Sequence, residues 1–310
     1  MMTVKRALVN YYKRLKDCSS SYKLDAELLV SYVLKRDRKW LFLNWDFELT
    51  KSDMEKIDQL VGLRRKGIPI AYLTGRKEFY KYCFYVNSHV LIPRPETETL
   101  LELVFDFRKA LKKDAAGKNL FVDVGLGSGC VLISLIKELS FKGNDFLGIE
   151  KSQKALTVAQ ANLEKFKLDY VLGTSKLGES NLILIKSSLL NDLIDFDFKD
   201  YGNLYLVINL PYVSRVEYKN LDKEVLCEPK EALVASNQGL ALIIKAIDQI
   251  LEIKNRNSNL KLVAFFEIGI KHKPLLKNYL IGKKGNGKFK FSFKRDLSLR
   301  DRFLILDLFW

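Results

Sequence analysis

The stretch of sequence that decides the fold covers residues 121–130 and reads FVDVGLGSGC. A short apolar strand enters a turn with three glycines, and an apolar helix is predicted to start at Cys130. Glycine tolerates positive φ and lets a ligand approach the backbone closely. Because parallel sheets bind ligands at such strand ends, the pattern predicts a ligand site here, with an ordinary strand–helix turn as the alternative.

The residues around this turn narrow the class of ligand. No Gly-Lys-Ser/Thr follows, which excludes a Walker loop. A dinucleotide fingerprint fits poorly, because Val131 stands near the place of the third, more widely spaced glycine. The acidic Asp123 at the strand end suits the cationic end of a ligand better than a pyrophosphate. The candidate cofactor residues of the turn are Asp123, Gly125, Leu126, Gly127, Ser128 and Gly129.

Glu150 ends the next predicted strand. A carboxylate at this place accepts hydrogen bonds from both hydroxyls of a ribose, although it can also be a mere neighbour of a helix N-terminus. Together with the glycine turn, Glu150 indicates an adenosine-type cofactor. If that cofactor is S-adenosylmethionine, Asp123 or its neighbours can face the amino group of the methionine end.

Strands and helices alternate from residue 119 onward. Helices are predicted over residues 130–139, 153–167 and 239–253, and strands over residues 119–124, 145–150, 182–185, 204–209, 262–267, 288–294 and 302–309. This alternation is typical of an α/β fold with a largely parallel, doubly wound sheet. The last two strands have a short connection, which favours an antiparallel hairpin at the sheet edge. The polar residues 168–180, which include Gly173 and Gly178, are interpreted as an inserted loop.

The N-terminal part of the chain has a different pattern. Apolar residues recur every three or four positions in residues 4–15, 24–33 and 57–61, which predicts a small helical bundle. Ser52-x-x-Glu55 is a predicted capping box. We expect three regions along the chain: a helical docking domain over residues 1–75, a linker with a β-hairpin over residues 76–92, and the α/β domain over residues 93–310.

The composition of the chain limits which partners and which cellular compartment are expected. The 310 residues carry a formal net charge of +15 and are 48% hydrophobic, which suits two domains with large cores. The charge suggests a polyanionic or acidic partner, with a solvated lysine-rich surface as the alternative. We expect no membrane-spanning helix, no signal peptide and, from four scattered cysteines, a cytoplasmic location. The cysteine spacing and the two histidines predict no metal site.

A second candidate site covers residues 207–212, which read VINLPY. Asn209 at the end of a strand offers one acceptor and two donors, and the carbonyl of Leu210 can be a second acceptor. Pro211 stiffens the turn, and Tyr212 supplies a flat face. A planar –NH₂ group fits between these groups, and a tight strand-to-loop turn is the alternative interpretation.

These residues carry a resemblance to known enzymes. The run at 209–212 resembles the Asn-Pro-Pro-Tyr motif of methyltransferases that modify planar amino groups of nucleobases or glutamine. Other stretches resemble one narrower family, the protein-(glutamine) methyltransferases that act on peptide chain release factors. They are residues 68–75, 78–80, 91–98 (LIPRPETE), 228–233, 267–269 and 296–302. The resemblance covers residues 24–310 in the right order, and the Pro-Arg-Pro-Glu-Thr run is its most specific part.

The resemblance implies a fold, a cofactor and a substrate. The fold is a seven-stranded, Rossmann-like S-adenosylmethionine-dependent methyltransferase domain with a small N-terminal helical bundle that docks the protein substrate. The substrate is the glutamine of a Gly-Gly-Gln loop of a release factor, and no stable nucleic-acid partner, membrane or metal is expected. The residues that bind the substrate glutamine are then Asn209, Leu210, Pro211 and Tyr212. The residues that bind the cofactor are Gly125 to Gly129, Glu150, Leu189 and Asn209.

Three positions depart from the family pattern. Leu210 replaces the first proline of the motif, so the φ restraint of proline is lost while the carbonyl acceptor remains. Ser188, next to Leu189, lies near the position where members of the family often have an acidic residue before the adenine pocket. Leu299 replaces a usual glycine in the last hairpin, which predicts a locally different turn.

The predicted reaction is an in-line methyl transfer from sulfonium to amide nitrogen, driven by positioning rather than by a strong base. Methylation of a ribosomal-protein glutamine or of a nucleobase amino group in DNA or RNA are the alternative reactions. A binding module without enzymatic activity is the alternative from another class.

Overall fold

Five helices make up most of the N-terminal unit of the chain. The computed structural model describes residues 1–111, 117–173, 180–283 and 289–309. The first unit combines Met1–Arg76, Val86–Ser88 and Leu221–Glu228. Its helices are α1 (Val4–Leu15), α2 (Tyr22–Leu34), α3 (Arg38–Leu43), α4 (Lys51–Arg65) and α5 (Ile70–Thr74). The apolar stripes predicted from the sequence supply its core, in which Leu8, Leu29 and Ile57 are completely buried.

Helix α4 begins two residues earlier than its predicted capping box. Thr50 is the N-cap, its Oγ1 accepts the N–H of Asp53 at 3.1 Å, and the Asp53 carboxylate accepts the N–H of Thr50 at 3.1 Å. The prediction of Ser52 and Glu55 was wrong because the same spacing of a hydroxyl and a carboxylate occurs twice, and the earlier pair forms the cap.

Arg64 is the largest fully buried side chain of this unit, with 2% exposure. Its Nε donates to the Asp25 carboxylate at 2.7 Å, and its Nη2 contacts the carboxylate of Glu224 and donates to Ser19 Oγ at 3.1 Å. A basic residue on a predicted helix suggests a solvated or docking surface, but Arg64 is an internal ion-pair partner here.

The second unit combines Lys77–Tyr85, His89–Asn220 and Pro229–Trp310. A two-stranded sheet pairs β1 (Arg76–Phe79) with β2 (Tyr82–Tyr85), and α6 (Pro95–Ala110) follows. The main helices after α6 are α7 (Cys130–Leu139), α8 (Gln153–Lys165), α9 (Arg215–Tyr218), α10 (Ala241–Arg256) and α11 (Lys273–Lys283). The strands are β3 (Lys118–Val124), β4 (Asn144–Glu150), β5 (Val171–Leu172), β6 (Leu182–Lys186), β7 (Tyr201–Ile208), β8 (Lys261–Glu267), β9 (Lys290–Arg295) and β10 (Asp301–Leu308).

The main sheet has the order β5-β6-β4-β3-β7-β8-β10-β9. All pairs from β5 to β8 are parallel, and β10 lies antiparallel between β8 and β9. The seven predicted strands are therefore present, and the α/β fold is confirmed. The two-residue strand β5 adds an eighth strand at the edge, inside the segment interpreted as an inserted loop; positions 174–179 of that segment, with Gly178, and position 288 lie outside the described residues.

Strand register brings four strand ends to one edge of the sheet. Val124 is level with Ile149 and with Ile208, and Ile208 is level with Phe266. The residues that follow these positions are Gly125, Glu150, Asn209 and Glu267. The carboxyl edge of the parallel strands therefore gathers both sequence motifs. Within the described residues, no helix is long and apolar enough to cross a membrane.

Candidate active site

The glycine turn after β3 and the Asn-Leu-Pro-Tyr turn after β7 lie against each other. A Cβ added at Gly125 would lie 3.3 Å from the carbonyl oxygen of Asn209 and 3.6 Å from Cδ2 of Leu210. Gly125 also has φ 87°, a conformation that side chains other than glycine rarely adopt. The two predicted sites therefore form one continuous surface at this edge.

Glu150 is fixed by backbone donors. The N–H of Gly127 donates to its Oε2 at 2.9 Å, and the N–H of Ser152 donates to its Oε1 at 2.8 Å. Each carboxylate oxygen accepts about two hydrogen bonds, so the group retains capacity for two hydroxyl donors. A Cβ at Gly127 would meet no atom closer than 3.8 Å, so the turn leaves open space beside that carboxylate. Both observations fit the ribose of an adenosine-type cofactor.

Asp123 lies deeper than the glycine turn. Its Oδ2 accepts the N–H of Leu132 at 3.1 Å, which satisfies a free donor in the first turn of α7. Burial raises the pKa of Asp123 to about 8; the hydrogen bond from Leu132 opposes this shift and the charge of Glu150 adds to it. The geometry therefore gives Asp123 a helix-capping contact, and a contact with the amino group of a cofactor stays a prediction.

The other predicted cofactor residues have mixed surroundings. Leu126 is buried and donates its N–H to the carbonyl of Ile149 at 3.0 Å. Ser128 is buried, and its carbonyl accepts from Asn162 Nδ2 at 2.8 Å. Leu189 follows β6 with φ 55° and is buried in the core. These residues belong to the correct edge of the sheet, and any contact with a cofactor stays a prediction.

Asn209 takes part in a chain of buried hydrogen bonds. Its Nδ2 donates to Thr97 Oγ1 at 3.1 Å, and the Thr97 hydroxyl donates to Glu267 Oε2 at 2.6 Å. The hydroxyl of Tyr212 donates to Glu267 Oε1 at 2.9 Å and accepts from Arg302 Nη1 at 3.4 Å. One carboxylate at the end of β8 therefore holds both polar side chains of the Asn-Leu-Pro-Tyr turn.

Burial shapes the ionisation of this network. Thr97 and Glu267 are 3% and 1% exposed. Burial raises the pKa of Glu267, while the hydrogen bonds from Thr97 and Tyr212 and the charge of Arg302 oppose that shift. Burial, followed by the charge of Glu267, also raises the pKa of Tyr212. Tyr212 is therefore a neutral hydroxyl donor at physiological pH.

A second contact seats the backbone of Tyr212. Gly239 has φ 90°, and a Cβ at this position would lie 2.0 Å from the carbonyl oxygen of Tyr212. His272 holds the residue next to Gly239 in place. Its Nε2 lies 3.0 Å from the carbonyl of Gln238, and its Nδ1 accepts the N–H of Gly269 at 3.2 Å. Burial lowers the pKa of His272, so the ring is neutral with its proton on Nε2. A cavity of about 640 Å³ opens beside His272 and is lined by Ser214, Arg215, Glu217, Ser236, Lys271 and Leu275.

Sequence reasoning missed three of the residues in this network. From the sequence, Thr97 belongs only to the family-like run at residues 91–98, and Glu267 and Arg302 belong only to predicted C-terminal strands. The sequence contains a signal for Glu267, since it ends a strand predicted to belong to the same parallel sheet as Asn209. No comparable local signal exists for Thr97 or Arg302, whose positions depend on tertiary packing. Within the described residues, no group of three metal-ligating side chains occurs.

The fold and the site define a class of protein. A mostly parallel sheet with a glycine turn after β3, a backbone-held carboxylate at the end of β4 and an Asn-x-Pro-Tyr turn after β7 is that of an S-adenosylmethionine-dependent methyltransferase. Residues 6–75 match the family described as the PrmC N-terminal domain.

Relatives identify the family within this class. The chain is 33% identical over 308 residues to the release factor glutamine methyltransferase of Mycoplasma mycoides subsp. mycoides SC, covering 97% of this chain and 99% of that protein. It is 33% identical over 301 residues to the protein of that name from Buchnera aphidicola subsp. Baizongia pistaciae, covering 97% and 95%. The chain belongs to the release factor glutamine methyltransferase family. A solved structure of the human Mettl16 catalytic domain with the MAT2A 3′UTR hairpin 6 is 16% identical, covers 84% of this chain and 83% of its own, and has a TM-score of 0.49.

Proposed function

We propose that this enzyme methylates the side-chain amide nitrogen of the glutamine in the Gly-Gly-Gln motif of peptide chain release factors. The observation that carries the proposal is the fixed amide of Asn209 beside the glycine turn. Its Nδ2 is held by Thr97, which leaves Oδ1 as an acceptor, and within the described residues no protein group donates to Oδ1. The names of the relatives across nearly the whole chain support the same substrate.

The cofactor half of the site consists of the backbone of Gly125 to Gly129 and the carboxylate of Glu150. S-adenosylmethionine supplies an electrophilic methyl group on a sulfonium when it is bound. Glu150, already oriented by Gly127 and Ser152, accepts the ribose hydroxyls with its remaining lone pairs. Asp123 and Leu189 are assigned to the methionine end and to the adenine pocket, respectively.

The acceptor half consists of Asn209, Leu210, Pro211 and Tyr212. Asn209 Oδ1 and the carbonyl of Leu210 accept the two N–H groups of the substrate amide, and the ring of Tyr212 covers its plane. These acceptors favour the positive charge that develops on the nitrogen as its conjugation is lost. The remaining contribution is orientation of the nitrogen toward the methyl group. The proton leaves to solvent after transfer, and no side chain is assigned as a general base.

The helical N-terminal unit is the proposed docking site for the release factor in the cytoplasm. Exposed basic residues of this unit include Lys5, Arg6, Lys13, Lys16, Lys35, Arg36, Arg38, Lys39, Arg65 and Lys66. A basic surface of this kind steers an acidic protein partner and makes association sensitive to salt. Arg64 is excluded from this surface because it is buried in an ion pair.

Labelled methyl transfer tests the proposal. The enzyme is offered purified release factor, the same factor with the Gly-Gly-Gln glutamine replaced by alanine, ribosomal protein and DNA in parallel. We expect label on the unmodified release factor alone. Label on DNA alone, or equal label on the alanine variant, contradicts the assignment, and label on ribosomal protein alone moves the activity to the alternative glutamine substrate.

A further inference from the structure

Two buried residues contact the side chains of the acceptor site but are not themselves part of its surface. Thr97 is in the first turn of α6 and Glu267 ends β8, and both connect by hydrogen bonds to Asn209 or Tyr212. We propose that Thr97 and Glu267 are positioning residues that fix the amide of Asn209 with its oxygen toward the substrate, so that the site selects a group that donates N–H. This inference rests on the proposed function.

The direction of each hydrogen bond follows from the number of available protons. The hydrogen bonds from Thr97 and Tyr212 and the charge of Arg302 favour the ionised form of Glu267, and an ionised carboxylate only accepts, whereas a threonine hydroxyl has a single proton. The 2.6 Å contact assigns the proton of Thr97 to Glu267. Thr97 Oγ1 then has only lone pairs left for Asn209, so the group that faces it at 3.1 Å must be the –NH₂ end of the amide. The Oδ1 end consequently points the other way.

The second arm of the network holds the ring that covers the substrate. The same carboxylate accepts from the hydroxyl of Tyr212 at 2.9 Å, and Arg302 donates to that hydroxyl at 3.4 Å. The positions of the Asn209 amide and the Tyr212 ring are therefore both set by hydrogen bonds that lead to the Glu267 carboxylate. Loosening that group affects the acceptor site and leaves the glycine turn and Glu150 unchanged.

Among the described residues, Thr97 is the only hydrogen-bond partner of the Asn209 side chain, so loss of its hydroxyl removes the contact that distinguishes the two ends of the amide. The amide can then rotate by a half-turn and present Nδ2 to the substrate. A glutamine –NH₂ is repelled by that donor, whereas a glutamate carboxylate accepts from it. The network therefore determines the preference of the site for a substrate glutamine over a glutamate. A site built for one hydrogen-bond pattern rejects the reverse pattern.

Substitutions at Thr97 test this role with a matched control. Thr97→Val removes the hydroxyl at nearly constant volume, Thr97→Ser retains it, and Ser134→Ala removes a different buried hydroxyl that has no hydrogen-bond partner within the described residues. We expect Thr97→Val to lower kcat about tenfold, as loss of one buried hydrogen bond does, with the S-adenosylmethionine Kd unchanged. Thr97→Ser and Ser134→Ala should stay within about twofold of wild type.

The binding preference is the readout that a merely structural role would not change. Wild type should bind the natural release factor more tightly than a factor with glutamate at the same position, and Thr97→Val should reduce that ratio several-fold. Glu267→Gln should lower turnover at least as much, and the double variant should be no worse than Glu267→Gln alone because both act on one network. Wild-type turnover in Thr97→Val, equal impairment of Thr97→Ser and Thr97→Val, or additive losses overturn the inference. Failure of wild type to methylate the release factor overturns the proposed function instead.

Discussion

Arg64 and Glu267 are buried ionisable side chains, one in each unit of the chain, and they are held by different kinds of partner. Arg64 in the helical unit contacts the carboxylates of Asp25 and Glu224. Glu267 in the α/β unit contacts the hydroxyls of Thr97 and Tyr212. Opposite charges neutralise Arg64, and the hydrogen bonds around it link Ser19, Ser21 and Asp25 within the helical unit without reaching a candidate site. Hydroxyls each donate to Glu267 and still accept from another group, so the chain continues to Asn209. This difference predicts that Arg64 stabilises a fold and Glu267 orients a site.

The largest expected effect is on folding. Arg64→Ala leaves the buried carboxylate of Asp25 without its charged partner, and loss of one member of a buried ion pair costs about 3–5 kcal/mol. Denaturant unfolding measures this loss. The control is Arg14→Ala, which breaks the partly exposed pair with Asp58 and should cost less than about 1 kcal/mol. Equal losses in the two variants would show that burial does not set the value of these pairs.

Asn209→Ala should have the largest effect on catalysis. It removes an acceptor for the substrate nitrogen and should lower kcat about 10²–10³-fold, the loss typical of one preorganised hydrogen-bonding group at a reacting centre. Because backbone N–H groups of Gly127 and Ser152, and not the Asn209 side chain, hold Glu150 in place, the S-adenosylmethionine Kd should remain nearly unchanged. Steady-state methyl transfer and calorimetric cofactor titration separate the two quantities. Near-normal turnover would remove Asn209 from the acceptor site.

Glu150 differs from both Arg64 and Glu267, because backbone N–H groups hold its carboxylate in place. Glu150→Gln replaces one acceptor oxygen by a donor –NH₂, which conflicts with a backbone donor or with a ribose hydroxyl. Loss of a charge-assisted hydrogen bond of about 1.5–3 kcal/mol should weaken S-adenosylmethionine binding about 10–100-fold. Glu138→Gln, at a surface pair with Lys81, is the control and should bind normally. Unchanged affinity in Glu150→Gln would refute the ribose assignment.

The comparison of Arg64 with Glu267 also shows what the sequence could predict. The glycine turn, Glu150 and Asn209 were found because each lies at the end of a predicted strand or directly after it, and parallel strands end at one edge. Thr97 lies far from Asn209 in sequence, and only the packing of α6 against the sheet brings the two together. Arg64 has a helical environment like that of its exposed neighbour Arg65, and only tertiary contacts show that it is buried. Local patterns therefore located the strand ends, whereas the side chains behind them required the fold.

The smallest expected effect concerns the turn that precedes Arg302. Leu299 replaces a glycine of the family pattern, and it has φ 60° with a side chain that is 75% exposed. The left-handed conformation costs a residue with a Cβ about 1–2 kcal/mol, and the greater freedom of glycine in the unfolded chain offsets about 0.4–1 kcal/mol of that. Leu299→Gly should therefore raise the free energy of unfolding by up to about 1.5 kcal/mol with methyl transfer unchanged. Leu189→Gly is the matched contrast, because Leu189 has φ 55° but is buried, and lost core packing should make that variant less stable. A destabilised Leu299→Gly would mean that the exposed leucine, and not the glycine, suits the turn beside Arg302.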